Sequence, residues 1–256
     1  MFGWLRNRTA GRSIPDALWH DVQQRFPFLF ARSEREVMRL RTLTANFLAT
    51  KEFHGANGFH ITDAVALAIA AQAVLPVLHL GLGWYDDFVG IVVHPDEVRA
   101  RRTFTDEDGV VHHYDEVLSG EAMEGGPVML SWRDVESAGA SAEEGYNVVI
   151  HEFIHKIDMR DGEPDGCPPL PSRAARQAWL KVMQAEYDAF REKVIIAERF
   201  GGATPWLDPY GAESIDEFFA VTCEGYFVNR ARFEIEFPKL VPLLDSFFLT
   251  SGAAGS

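Results

Sequence analysis

Tyr146-Asn-Val-Val-Ile-His-Glu-Phe-Ile-His-Lys-Ile-Asp158 is an apolar stretch broken by two histidines four residues apart, with a glutamate beside the first. Residues at i and i+4 share one face of a helix, so His151 and His155 can point at a single ion. Glu152 then lies next to that ion without ligating it, where it can take a proton from water. The remaining positions (Val148, Val149, Ile150, Phe153, Ile154, Ile157) are apolar and call for burial on the other side. The alternative for the two histidines is an exposed pair on a surface helix. An unpaired buried imidazole is costly and ligation relieves that cost, so the apolar surroundings favour a metal site. Tetrahedral zinc suits two imidazoles, a carboxylate and an open position.

The third ligand is sought downstream. Glu213-Ser-Ile-Asp-Glu-Phe-Phe-Ala-Val-Thr-Cys-Glu-Gly-Tyr-Phe227 offers Glu213, Glu217 and Glu224. Glu217 sits in the apolar middle, where a carboxylate must be paired or coordinated, and is the choice. Glu224, two turns along the same face, can orient a ligand from behind, as can Asp158. Ordinary helix-surface acids are the competing reading for both. Tyr210, on a loop seven residues before Glu217, can reach the open side of the metal and help hold a developing oxyanion if that loop folds over the site; a tyrosine that packs the loop is the competing reading. His112-His113 resembles a metal tract, but neighbours on a strand face opposite ways, so a hairpin surface is expected. His79 and His94 are expected to be structural.

Working outward, Ser33 and Glu36 have capping-box spacing at the start of a helix carrying Val37, Leu40, Leu43, Phe47 and Leu48. An earlier helix runs from Ser13-Ile-Pro-Asp to about Phe26, and Thr62 or Asp63 caps a third. The longest apolar segment, Val65 to Leu82, contains Gln72, Pro76 and His79. A bilayer span needs about 20 residues with few interruptions, so a buried helix is read instead. Short strands are expected at Phe88–His94 and Pro127–Trp132, and a hairpin at Arg102–Thr105 and Val110–Tyr114 around Asp106-Glu-Asp-Gly. Helices are expected over 142–157, 172–200, 213–228 and 238–249. The reading is one α+β domain over 13–249, mostly helical with a small central mixed sheet, between a loose arm at 1–12 and a disordered tail at 250–256.

The 256 residues carry 24 Lys plus Arg against 38 Asp plus Glu, a formal charge of −14. Such a surface argues against non-specific nucleic-acid binding and against docking on anionic lipid. Two well-separated cysteines and an opening that lacks an apolar signal stretch lead to a cytoplasmic expectation.

Residues 151–162, His-Glu-Phe-Ile-His-Lys-Ile-Asp-Met-Arg-Asp-Gly, closely resemble the active-site segment of the Mlc titration factor A family of bacterial metallopeptidases. So do Tyr210-Gly-Ala, Asp216 to Val221, Glu224 to Phe227, Ile69 to Ala73, Ile91 to Pro95 and Gly126 to Trp132. The resemblance implies a zincin-like fold and one zinc per chain on His151, His155 and Glu217, with Glu152 as general base. It strengthens the role for Tyr210 and makes Gly126–Trp132 the edge strand that aligns substrate backbone. It further implies aminopeptidase activity on peptide substrates, and binding of a transcriptional repressor that controls sugar uptake. For an aminopeptidase, Asp134, Glu136 and Glu213 are the candidates to capture the substrate's free amine. The rival reading is a regulatory protein that sequesters a transcription factor and whose zinc is structural or sensory. An intact Glu152 favours catalysis, because a structural site needs no base.

Overall fold

The structure, a computed structural model, describes residues 13–105 and 111–250. The expected arm, the tip of the expected hairpin at 106–110 and the tail from 251 onward lie outside the described residues.

Helix α1 (Asp16–Arg25) and helix α2 (Glu34–Thr50) open the chain. The capping box of α2 forms as read: Ser33 Oγ accepts from the Glu36 amide, and the Glu36 carboxylate accepts from the Ser33 amide at 3.0 Å. Strand β1 (Glu52–Gly55) leads to helix α3 (Asp63–Ala73), capped by the Thr62 side chain. Every residue of α3 from Val65 to Ala73 is buried, the mark of a helix enclosed on all sides. It is shorter than the apolar segment suggests. Pro76 has no N–H to donate and disfavours helical backbone before it, so the chain leaves in tight turns towards Gly81, at φ 91°.

Strand β2 (Gly90–His94) enters the sheet, and strands β3 (Val98–Thr105) and β4 (Val111–Leu118) form a separate antiparallel ribbon. His112 and His113 fall on β4, in register with Phe104 and Thr103. Strand β5 (Gly120–Ala122) and strand β6 (Val128–Ser131) complete a four-stranded mixed sheet of order β1-β2-β6-β5. β1, β2 and β6 are parallel, and β5 runs antiparallel to β6 with Gly120 opposite Leu130 and Ala122 opposite Val128. The 126–132 segment is therefore an interior strand, not the edge the resemblance implied. The chain returns from the ribbon, turns at 123–127 and covers that edge with three residues of β5.

Helices fill the rest: α4 (Trp132–Ser141), α5 (Val148–Asp158), α6 (Arg173–Phe200), α7 (Ile215–Val228), α8 (Arg230–Glu236) and α9 (Leu240–Phe248). The helix expected from 142 begins only at Val148. Gly145 adopts φ 79° and Asn147 is extended, so the chain stops after α4 and restarts with Asn147 Oδ1 capping the Ile150 amide at 2.9 Å. The apolar face of α5 is pinned by Phe153, whose ring lies 5.0 Å from Tyr85, 5.7 Å from Phe47 and 5.8 Å from Phe88. The architecture is α+β and zincin-like, with α5 against the small sheet. No helix among the described residues is long and apolar enough to cross a membrane.

Gly139 marks where α4 crosses the end of α1: a Cβ there would lie 1.9 Å from the backbone oxygen of Arg25. Because the obstacle is backbone, Gly139→Ala should destabilise the fold by about 1–3 kcal/mol, the usual cost of overpacking. A urea midpoint unchanged from wild type would refute this crossing.

Candidate metal centre

The two faces that matter come from α5 and α7. On α5, His151 and His155 project from successive turns with their Nε2 atoms 3.1 Å apart. In the first turn of α7, whose cap is Ser214, the Glu217 carboxylate points back at both: Oε2 is 3.0 Å from His151 Nε2 and 3.3 Å from His155 Nε2. Three ligand atoms so placed fit one small cation, since zinc bonds of about 2.0–2.1 Å at tetrahedral angles set ligand atoms roughly 3.3 Å apart. Among the described residues these three form the group able to hold a metal.

Behind His151, Glu224 accepts from His151 Nδ1 at 2.8 Å with one oxygen and from the Asn147 amide with the other. Asn147 Nδ2 in turn donates to Gln72 Oε1 at 2.8 Å, and Gln72 donates to the Ala68 carbonyl. Gln72, Asn147 and Glu224 are all buried, so this chain of hydrogen bonds ties α3, the cap of α5 and α7 together. Burial works against a charged His151, but its hydrogen bonds to Glu217 and Glu224 outweigh that and raise it well above its ordinary value. Burial likewise opposes ionisation of Glu217, and the two histidines win, holding its carboxyl below the usual range. Two imidazoles in their neutral form with an ionised carboxylate make a donor set that fits zinc.

Glu152 is 5% exposed and lies against the sheet edge at Gly120, and burial pushes its carboxyl up to about 7. Tyr210 stands in the 3-10 turn Pro209–Ala212, held by its amide donating to Asp208 Oδ1 at 2.9 Å. Its hydroxyl donates to Glu217 Oε1 at 3.3 Å and its ring lies 6.1 Å from His151, so it borders the metal group on the open side. All five residues line one open cavity of about 460 Å³, together with Glu224 and β5.

Several expectations change here. The Asp158 carboxylate accepts from the Gly166 and Cys167 amides at 2.8 and 2.9 Å, fastening the segment that follows α5. Asp134, Glu136 and Glu213 are not among the residues of the cavity wall. Glu136 instead faces Arg25 across the α1–α4 contact, whereas Glu121, Asp208 and Asp216 do line the cavity. His79 pairs with Glu36 at 3.2 Å and His94 meets Asn57, both away from the centre. Asn147, Gln72 and Gly120 escaped the sequence reading. Asn147 carried a signal, a capping residue directly before an apolar run; Gln72 offered only its oddity in an apolar helix.

Comparison with known proteins places this geometry in context. The family model for the glucose-regulated metallo-peptidases M90 matches residues 1–249. An uncharacterized protein of Synechocystis is 30% identical over 246 residues, covering 96% of this chain and 88% of its own. Proteins named Mlc titration factor A from Yersinia pestis and Yersinia pseudotuberculosis are each 30% identical over 239 residues, covering 93% of this chain and 86% of theirs.

Two substitutions separate the roles of the buried acids. Glu224→Ala should weaken metal binding about 10- to 100-fold, as loss of an outer partner of a ligating histidine does. Asp158→Ala should leave metal affinity unchanged and instead lower stability by about 1–3 kcal/mol, since two buried amides lose their acceptor. Chelator competition and urea unfolding on the same samples would read both, and a reversed pattern would exchange the assignments.

Proposed function

This chain belongs to the glucose-regulated metallo-peptidase family M90, and on that premise we propose that it is a zinc-dependent peptidase acting by preference on the amino-terminal end of peptides. The carrying observation is the convergence of His151, His155 and Glu217 beside a buried acid, Glu152, on the wall of an open cavity. Zinc on those three side chains would supply a Lewis acid that polarises the scissile carbonyl and acidifies water.

The chain's own groups do the rest. Glu152 takes the proton from the attacking water and passes it to the leaving amine, a task suited by a carboxyl whose burial already favours protonation. The Tyr210 hydroxyl turns from Glu217 to donate to the oxygen that gains charge as the carbonyl becomes tetrahedral. Glu224 keeps His151 oriented through Nδ1. Substrate backbone aligns beside β5, the terminal strand of the sheet among the described residues and the one that flanks α5 at the cavity. Glu121, Asp208 and Asp216 supply the negative wall that a free α-amine requires, in place of the acids read from sequence. The acidic chain and the two buried, unbridged cysteines support a cytoplasmic location without nucleic-acid partners.

The name of the Yersinia relatives favours a second role, binding of a transcriptional repressor of the Mlc type. Sequestration without catalysis is the reading that would replace peptidase activity, and Glu152 separates the two. Glu152→Gln should retain about one zinc per chain while turnover of aminoacyl and peptide reporters falls at least about 10²-fold, the scale of lost general-base catalysis. Glu217→Ala should lose most of the metal. Full activity in Glu152→Gln would end the proposed mechanism, and undiminished zinc in Glu217→Ala would move the third ligand elsewhere.

A further inference from the structure

Glu152 and Lys156 are also four residues apart, so they share a second face of α5, one position round from the face of His151 and His155. That face looks onto β5 and the turn that joins it to β6. At the strand, a Cβ on Gly120 would lie 2.4 Å from Glu152 Oε1, 2.7 Å from its Cγ and 2.8 Å from its Cδ. Gly120 is ordinary strand backbone, so a side chain there would meet the Glu152 side chain ahead of any backbone obstacle and would make it move. At the turn, Lys156 is fully buried, with Nζ donating to the Met123 carbonyl at 2.8 Å and to the Gly126 carbonyl at 3.4 Å. The same Nζ lies 3.2 Å from Asp87 Oδ2, and Arg160 holds the other oxygen of Asp87 at 3.3 Å. A buried ammonium is expensive compared with an apolar side chain of similar volume. What Lys156 supplies that methionine could not is a hold on two turn carbonyls.

We propose that Gly120 and Lys156 are positioning residues for Glu152: Lys156 fastens the β5–β6 turn to α5, and Gly120 lets the strand close on the Glu152 carboxylate and set its place beside the metal group. The role given to Glu152 rests on the peptidase reading; the seat itself rests on the packing.

The test uses the full chain loaded with zinc, as wild type, Gly120→Ala and Lys156→Met. Each is measured for zinc content, thermal midpoint, kcat and KM on a peptide reporter, and amide hydrogen exchange. Gly120→Ala should keep its zinc and lower kcat about tenfold or more with KM within about twofold, because a small misplacement of a catalytic group is costly. The loss should shrink in a Glu152→Asp background, where the shorter side chain clears the new Cβ. Lys156→Met should speed exchange across 120–126 about tenfold or more while α5 keeps its protection. Lys156→Gln, too short to reach both carbonyls, replaces it if that variant does not fold. Wild-type kcat in Gly120→Ala, or unchanged exchange at the turn, overturns the proposal. Absence of turnover in wild type would instead remove the peptidase reading, and the exchange measurement then decides the seat alone.

Discussion

Everything at the centre depends on one imidazole held between two carboxylates. His151 meets Glu217 through Nε2 and Glu224 through Nδ1, and Glu224 in particular is buried with that imidazole as its charged partner. Buried charges are tolerated only when paired and fully hydrogen-bonded. The remaining oxygen of Glu224 is accordingly taken by the Asn147 amide, and the remaining oxygen of Glu217 by Tyr210. The relative placement of α5 and α7 follows from these bonds as much as from their apolar packing, because a slip of either helix would strand a charge.

The same helix serves two further purposes at spacings offset by one residue. His151 and His155 look towards α7, Glu152 and Lys156 towards the sheet edge, and Phe153 and Ile157 into the core. With each face engaged by a different element, α5 has little freedom to rotate. A site built this way gains its precision from the scaffold and leaves the open side to Tyr210 and the 3-10 turn that carries it.

Local patterns made much of this legible. The i, i+4 histidines, the capping box at Ser33, and α6 bounded by Ser172 and Gly201 are short-range features that the chain states outright. Glu217 was legible for a different reason, as a carboxylate in an apolar run that burial alone could not explain. Tertiary pairing hides the rest. Gly120-Glu-Ala122 has neither the length nor the alternation of a strand, and is one only because β6 presents an unpaired edge. β1, only one residue longer, rests on β2. The true start of α5 turned on Gly145, whose left-handed backbone is packed against Trp206 and Leu207, residues far along the chain. Asp158, whose spacing left an orienting role and an ordinary surface acid both open, is buried and accepts from two backbone amides that no pattern announces.

The hydrogen bond between Asn147 and Glu224 joins residues 77 apart in sequence, and the contact of His155 with Glu217 spans 62. Loops of such length are costly to close. The elements they bring together are the two that carry the possible metal ligands, His151 and His155 on α5 and Glu217 on α7. A cation bound by all three would bridge them as a clasp, and by binding only the folded arrangement it would add to the stability of that helix pair.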